Sequence, residues 1–235
     1  RAGRPLVFAE SSPPIGMGKI LEDSGAKVWR RGHEFRSRRR GNNFQLRWSD
    51  QRMLLPLPIM TGRWQQSNAS AAALAAILIR SRIAIDNGAI AQGLMQARIA
   101  GRLDVVSRAP EIILDVAHNP AAARALAGYL RASSASPTIA VFAALTGKDV
   151  VAIGRALRAT FKHWLLAPLA DDRALAPAEI AARLEKAAVT GSVDTLESVA
   201  QAVDEARRLA GSEGRVVVFG SFRTVAEAWP LFQSH

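Results

Sequence analysis

Three polar side chains that could take part in chemistry follow a short apolar run. The run at 112–116 contains Asp115, and His118 and Asn119 come directly after it, ahead of Pro120. Pro is favoured as the first residue of a helix, where an N–H would have no partner, and Asn is a good helix N-cap. Open α/β sheets bind ligands where a buried strand ends and a helix begins. The pattern therefore predicts a strand, a turn and a helix that form part of a ligand site.

The second half of the chain alternates apolar strand-like runs with helical runs. Strands are predicted at 103–107, 111–116, 138–144, 163–167 and 215–219, and helices at 120–132, 149–160, 177–188, 196–210 and 223–232. This order is typical of a Rossmann-like, mostly parallel, doubly wound sheet covered on both faces. The strand-end loops at 115–119, 146–149 and 220–222 are the candidate ligand positions. No Gly-x-Gly-x-x-Gly follows these strands, so a nicotinamide or flavin enzyme is not expected.

The first half predicts a smaller mixed domain. Strands are expected at 5–9, 27–30 and 43–49, and helices at 15–24, 71–80 and 90–97. Two prolines interrupt the apolar run at 53–59, which indicates an edge strand or an extended crossing rather than a central strand. Asn68 lies where helix 71–80 should begin. It could cap that helix, or offer its amide to a nucleobase or phosphate, and both alternatives stay open. We place the domain boundary at about residue 100, beside Gly101.

Positive charge is concentrated in the first half of the chain. Residues 1–100 hold 16 Lys and Arg against 6 Asp and Glu, whereas residues 101–235 hold 15 against 14. The densest run, 30–40, could bind the phosphates of a nucleic acid. We favour a solvated turn between two strands for this run. A basic nucleic-acid-binding module is therefore the alternative from a different functional class, and nucleic acid is not the partner we expect.

Composition narrows the class of protein. The 235 residues are 49% hydrophobic, enough to bury the core of one large or two ordinary domains. The absence of Cys excludes disulfides and thiolate metal sites. No run is long enough for a membrane span, and no signal peptide is recognisable. We expect a cytoplasmic protein, and the start at Arg1, without Met and close to a strand, indicates a truncated beginning.

One motif carries a family resemblance. Gly101-Arg102, followed by Leu114-Asp-Val-Ala-His-Asn-Pro120, closely resembles the C-terminal domain of the folylpolyglutamate synthases, including bifunctional dihydrofolate synthases, in the Mur ligase superfamily. Further similar stretches are Leu55-Pro-Leu-Pro, Gly62-x-x-Gln65-x-x-Asn68-Ala, Lys148-Asp149 and Val218-Phe-Gly-Ser-Phe-Arg-Thr-Val225. The resemblance spans essentially the whole chain. It implies that residues 1–100 are the C-terminal part of a central ATPase domain and residues 101–235 a glutamate ligase domain.

The resemblance also implies a reaction and its nucleotide contacts. The reaction is ATP-dependent ligation of L-glutamate to dihydropteroate or tetrahydrofolate through an acyl phosphate. By motif, Asn68, Arg102 and Asp115 are expected to contact ATP. An Arg suits phosphate because it donates two parallel hydrogen bonds, whereas the anion Asp115 suits ribose hydroxyls. Nothing near Asp115 in the sequence is an obvious partner, which favours a functional role for it.

The catalytic candidates each have a structural alternative. His118 and Asn119, with Ser221 on a neighbouring loop, could face the reacting carboxylate or the incoming glutamate. Equally, His118 could orient the turn, and Asn119 and Ser221 could cap helices.

The departures from the family pattern are also informative. The family's phosphate-binding loop and magnesium ligands match no stretch here, so no metal ligand is expected in this chain and Mg²⁺ is expected to be held by residues upstream. Trp64 stands where the family often has His. We therefore expect an inactive portion of a monomeric ligase. A cell-wall Mur-type ligase and a non-catalytic remnant are the alternatives within the resemblance.

Overall fold

The chain folds into two compact units, Arg1–Ile99 and Ala100–His235. A computed structural model describes residues 2–11, 13–60, 62, 64–132 and 136–233, so Thr61 and Arg63 of the Gly62 motif, and Arg1, lie outside the described residues. Among the helices of the described residues, none has the length and apolar character needed to cross a membrane.

The second unit is built on a six-stranded sheet. Its elements are β6 (Asp104–Arg108), β7 (Glu111–Asp115), α4 (Pro120–Leu130), β8 (Thr138–Phe142), α5 (Val150–Leu157), β9 (His163–Leu166), α6 (Pro177–Lys186), β10 (Ser192–Thr195), α7 (Val199–Ala210), β11 (Arg215–Phe219), α8 (Phe222–Ala228) and a 3₁₀ turn, Trp229–Phe232. The strand order is β10-β9-β8-β11-β7-β6, and only the edge strand β6 runs antiparallel. The predicted mostly parallel α/β sheet is confirmed.

Helices cover both faces of this sheet. One face carries Leu114, Val141 and Val218, which are fully buried and pack with α7 and α8. On the other face Phe142 and Phe219 are also fully buried, and the helices α4, α5 and α6 pack side by side. Because both faces are buried, each strand reads as a continuous apolar run, which is why the sequence indicated parallel strands.

The first unit contains two small sheets and three helices. Its elements are β1 (Pro5–Phe8), α1 (Met17–Asp23), β2 (Lys27–Arg30), β3 (Phe35–Arg40), β4 (Asn43–Trp48), β5 (Gln51–Pro56), α2 (Gln65–Leu78) and α3 (Asn87–Gln96). Strands β1 and β2 pair in parallel, and β3, β4 and β5 form an antiparallel sheet in that order. Phe44, Leu46 and Leu55 of the second sheet pack with α2 and α3 in one core. The predicted edge strand is confirmed, since β5 lies at an edge.

The prediction of a solvated turn at 30–40 is wrong for most of that run. Residues Phe35–Arg40 form strand β3, which pairs along its length with β4. Only Phe35 of this strand is apolar and buried, so β3 carries too little hydrophobic pattern to be recognised from its own sequence. Its partner β4 has the pattern and holds β3 through the antiparallel ladder.

The prediction that Asn68 could cap a helix is also wrong. Helix α2 begins at Gln65, with Trp64 at the N-cap position, because the Gln65 N–H already donates to the Gly62 carbonyl at 3.0 Å. Asn68 therefore lies one turn inside the helix. It is exposed, and its Nδ2 donates to Gln65 Oε1 at 3.1 Å.

Two further elements differ from the sequence prediction. Strand β10 was not predicted because three of its four residues are exposed and its sequence, Ser-Val-Asp-Thr, contains no apolar run. The last predicted helix is interrupted, since α8 ends at Ala228 and a 3₁₀ turn that begins at Trp229 and contains Pro230 follows. Proline has no N–H to donate to the preceding turn, and its ring clashes with a carbonyl there, so the α-helix does not continue through Pro230.

The link from β11 to α8 requires glycine. Gly220 has φ +123°, and a Cβ there would overlap the carbonyl oxygen of Ala143 on the neighbouring strand end. We expect Gly220→Ala to lower the free energy of unfolding by at least about 2 kcal/mol, measured by urea titration. Gly128→Ala is the matched control, because Gly128 lies in α4 with open space around it and should gain up to about 1 kcal/mol. Equal urea midpoints for Gly220→Ala and the wild type would contradict this close approach.

Candidate active site at the carboxyl edge of the sheet

Four loops meet where the strands of the second unit end. Because β11 lies between β7 and β8, the loop at 220–222 lies between the loops at 115–119 and 143–149. The loop 101–104 folds over the end of β7, where the Val116 N–H donates to the Gly101 carbonyl at 2.8 Å. Five of the six predicted site residues therefore lie at this edge of the second unit: Arg102, Asp115, His118, Asn119 and Ser221. The sixth, Asn68, lies in the first unit.

Asp115 is the buried polar centre of this edge. It is 6% exposed; its Oδ2 accepts the Leu103 N–H at 3.0 Å and its Oδ1 accepts the Ala117 N–H at 2.8 Å. The sequence offers no obvious side-chain partner for Asp115, and in the structure both partners are backbone N–H groups: Ala117 lies two residues later, and Leu103, twelve residues earlier, is brought to Asp115 by the β6–β7 hairpin. A contact with a ligand stays a prediction. Each carboxylate oxygen can accept a second hydrogen bond, so these contacts leave capacity for a ligand hydroxyl.

Burial raises the pKa of Asp115 above its ordinary value. The two backbone N–H groups and the charge of Arg102 act in the opposite direction, and the charge of Asp104 adds to the increase. Burial thus disfavours the charged form of Asp115, and a further hydrogen-bond donor at its carboxylate oxygens would favour that form.

Arg102 extends from the loop beside Asp115. Its guanidinium carbon lies 5.9 Å from the centroid of the Phe222 ring, and that ring is 56% exposed. Within the described residues Arg102 makes no salt bridge, so its donors are available to an anion. The sequence predicted the loop 220–222 as a ligand position but did not single out Phe222, whose signal was an aromatic directly after the strand-end Gly-Ser.

His118 and Asn119 are both held by the backbone of the turn. His118 Nδ1 lies 2.8 Å from the Val116 carbonyl, which can only accept, so this nitrogen donates and Nε2 is left for other contacts. Asn119 Oδ1 accepts the Ala122 N–H at 2.9 Å and caps α4, with Pro120 at the first helical position. The structural alternatives for both residues are thus present in the geometry, while a contact with substrate stays a prediction.

Ser221 is buried and ties α8 to β8. Its Oγ accepts the Thr224 N–H at 2.9 Å and lies 2.8 Å from Thr224 Oγ1, which donates to the Ala143 carbonyl at 3.2 Å. Because Thr224 uses its proton on that carbonyl, the hydrogen between the two hydroxyls comes from Ser221. The capping alternative is present, and the catalytic role of Ser221 stays a prediction.

A second charged cluster at this edge was missed by sequence reasoning. Asp171, after β9, pairs with Arg223 of α8 at 3.0 Å and with Arg173 at 3.4 Å, and the Ala170 N–H donates to Glu227 at 2.9 Å. The Arg173 N–H and the two Arg charges lower the pKa of Asp171. The cluster fastens the loop after β9 to α8. Its signal in the sequence was weak, because Arg223 and Glu227 lie more than fifty residues after Asp171.

Carboxylates at this edge do not form a metal centre. Among the described residues, no three His, Asp or Glu side chains are grouped so that they could hold a metal ion. The residues that are present fit hydroxyl and phosphate groups instead, through Asp115 and Arg102.

Comparisons with known sequences agree on one family. Residues 101–222 match the family described as Mur ligase, glutamate ligase domain. The dihydrofolate synthase/folylpolyglutamate synthase of Escherichia coli strain K12 is 34% identical over 238 residues, which cover 100% of this chain and 53% of that protein. A probable bifunctional folylpolyglutamate synthase/dihydropteroate synthase of Halobacterium salinarum is 35% identical over 172 residues, 73% of this chain and 20% of that protein.

Solved structures agree. E. coli FolC in complex with DHPP and ADP has a TM-score of 0.85 and 30% identity over 98% of this chain and 53% of that one. A bifunctional folylpolyglutamate synthase/dihydrofolate synthase with Mn, AMPPNP and L-glutamate bound has a TM-score of 0.82 and 30% identity, covering 100% of this chain and 54% of that one. The chain thus spans about half the length of these relatives.

The raised pKa of Asp115 predicts a pH dependence. The native state holds its proton to higher pH than the unfolded state, so the contribution of Asp115 to the free energy of unfolding falls as pH rises from the unfolded pKa through the native one. We expect the wild type to lose stability relative to Asp115→Asn as the pH rises from about 4, the ordinary pKa of Asp, towards neutrality. Urea titrations of both proteins across this range measure it. A difference that grows in favour of the wild type would show that the N–H bonds outweigh burial.

The buried hydroxyl pair predicts a stability cost. Ser221→Ala removes a helix cap and the link to Thr224 and should lower the free energy of unfolding by about 1 to 2 kcal/mol. Ser198→Ala is the matched control, because Ser198 Oγ caps α7 through the Gln201 N–H without a second hydroxyl. If both variants lost the same stability in thermal or urea unfolding, the link from Ser221 through Thr224 to β8 would contribute nothing.

Proposed function

The chain belongs to the Mur ligase family, and from that premise we propose that it forms part of an ATP-dependent ligase joining L-glutamate to dihydropteroate or tetrahydrofolate. One observation carries the proposal: the Asp-Val-Ala-His-Asn-Pro motif ends a buried parallel strand at the edge where Arg102 and Asp115 converge. The similarity to the E. coli synthase supports the folate substrate class.

The proposed reaction has two steps. A substrate carboxylate oxygen attacks the γ-phosphorus of ATP, and the bond to ADP breaks, which gives an acyl phosphate. The amine of glutamate then attacks the acyl carbon, loses a proton and displaces inorganic phosphate. Both steps need cationic hydrogen-bond donors at the phosphoryl group and a positioned amine.

Arg102 and Asp115 are proposed to hold the nucleotide. In the part of the chain that the structure describes, the Arg102 guanidinium forms no salt bridge with a carboxylate, and such a group binds phosphate oxygens through paired hydrogen bonds. Asp115 cannot approach phosphate, but its remaining acceptor positions suit ribose hydroxyls. A ribose hydroxyl that donates to Asp115 would satisfy the carboxylate and lower its raised pKa. Asn68, exposed in the first turn of α2, is proposed as a further ATP contact from the first unit.

His118, Asn119 and Ser221 are proposed to orient the reacting groups. His118 retains Nε2, and Asn119 retains its amide Nδ2, after their contacts with the backbone are counted. These atoms can bind carboxylate oxygens or the glutamate amine. Ser221 is the weakest of the three, because its hydrogen is directed at Thr224. Its proposed role is to hold the loop that carries Phe222.

Other parts of the ligase are proposed to lie outside this chain. The E. coli synthase is about twice as long as this chain, and the two-stranded parallel sheet β1–β2 is marginal by itself because parallel sheets are normally larger and buried. Mg²⁺ would neutralise charge on the phosphates during transfer, and its ligands are proposed to come from the rest of the protein. We therefore expect the 235-residue chain to show no turnover without that part.

The experiment is ADP release by the full reading frame that contains this chain. We expect release that depends on glutamate and on dihydropteroate. Arg102→Ala should lower kcat/KM for ATP by about 10- to 100-fold through loss of a charge-assisted contact, and Asp115→Ala should raise the KM for ATP. Arg108→Ala is the matched control, since exposed Arg108 lies beside Glu111 at the opposite edge of the sheet.

Each part of the proposal can fail separately. Release of ADP with a UDP-linked substrate, and not with dihydropteroate, would identify a cell-wall ligase instead. No release with either substrate would refute the ligase. Unchanged ATP kinetics in both Arg102→Ala and Asp115→Ala would refute the nucleotide site.

A further inference from the structure

The antiparallel sheet of the first unit has one face made of arginines. Arg36, Arg38 and Arg40 alternate along β3, Arg47 lies on β4 and Arg52 lies on β5. The strand register places Arg36 opposite Arg47, and Arg47 opposite Arg52, so three arginines form a row across all three strands. All five side chains are exposed. We call this surface the arginine face.

The arginine face is not neutralised by the protein. Within the described residues none of its five members forms a salt bridge, and the one side-chain hydrogen bond that they make is from Arg36 Nε to the Gly32 carbonyl. Like charges directly opposite each other on a sheet repel and destabilise it. A basic residue on an edge strand can prevent aggregation, but Arg47 lies on the central strand. Edge protection therefore does not explain the row.

The residues between the arginines limit what could bind. Neighbours on the face are Asn43, Gln45 and the exposed Leu54. The aromatic side chains of the sheet, Phe35, Phe44 and Trp48, point to the opposite face and are buried in the core. Proteins that bind single-stranded nucleic acid stack bases on exposed aromatics. Among the described residues of β3, β4 and β5, the arginine face has no aromatic side chain, and guanidinium groups are its charged groups.

We propose that the arginine face binds the polyglutamate tail of the ligase product, as a linear polycarboxylate. This inference rests on the proposed function, which supplies a product that gains one carboxylate with every glutamate added. Whichever carboxyl group forms the amide, the other stays free, so each residue of the tail carries one negative charge. Guanidinium groups match carboxylates through two parallel hydrogen bonds.

The repeat distances of the two partners agree. Alternate residues of a strand are about 6.8 Å apart, which is the spacing of Arg36, Arg38 and Arg40 along β3. An extended α-linked tail presents carboxylates on one side at the same interval. A γ-linked tail has five backbone bonds per residue and repeats at about 6 Å. Successive carboxylates of either tail can therefore reach successive arginines.

The test measures binding of labelled hexaglutamate to the 235-residue chain by fluorescence anisotropy at low salt. Separate α-linked and γ-linked probes identify the linkage that the face prefers. The triple variant Arg36→Gln, Arg47→Gln, Arg52→Gln should bind about tenfold more weakly, since each exposed pair contributes little by itself. The control variant Arg4→Gln, Arg82→Gln, Arg98→Gln removes the same charge from exposed positions of the same unit and should bind like the wild type.

The outcomes separate the possible explanations. Equal weakening in both triple variants would show a general effect of net charge and overturn the proposal, as would no binding of either hexaglutamate. Tighter binding of an oligonucleotide with six phosphates, lost in the first variant, would make the face a nucleic-acid surface. Circular dichroism verifies that both variants fold. If the full reading frame releases ADP in a glutamate-dependent way but hexaglutamate does not bind, only this inference is refuted. If hexaglutamate binds but the full reading frame releases no ADP with any substrate, the proposed function is refuted.

Discussion

The second unit depends on one buried carboxylate. Asp115 joins the loop that precedes β6 to the turn that follows β7, because its two oxygens accept N–H groups from Leu103 and Ala117. Burying the charge is unfavourable, and these two bonds offset part of that cost. Because Arg102 directly precedes Leu103 in the chain, the hydrogen bond from the Leu103 N–H to Asp115 also holds Arg102 at the edge of the sheet where β7 ends.

The position of β11 completes that edge. This last strand enters the sheet between β7 and β8, so the loop with Ser221 and Phe222 reaches the middle of the site about a hundred residues after Asp115. Gly220 permits the close approach to the end of β8, and the Thr224 hydroxyl fixes it. The edge is therefore a set of mutually tied loops, a stiffer base for ligand contacts than separate loops would provide.

The first unit separates charge and apolar surface by strand alternation. On β4, for example, Leu46 and Trp48 face the core, and Arg47 between them is exposed on the opposite face. The excess of positive charge in the first half of the chain is thus partly organised on one face of a sheet. A turn would have spread these side chains in several directions, whereas a ladder aligns them at fixed intervals.

Local sequence patterns determined most of the elements and the strongest part of the site. The apolar runs predicted the parallel strands of the second unit, and the Asn-Pro pair predicted the cap and start of α4, since these depend on neighbouring residues only. Tertiary structure decided what depends on distant residues: β3 exists through β4, and Asp115 is satisfied by Leu103 across a hairpin. It also placed Asn68 inside α2, where the Gly62 turn begins the helix earlier than the Ala-rich run indicated. Contacts between residues far apart in the chain leave no periodic pattern in the sequence. For this physical reason, local elements could be predicted from the sequence, whereas the partners of β3 and Asp115 could not.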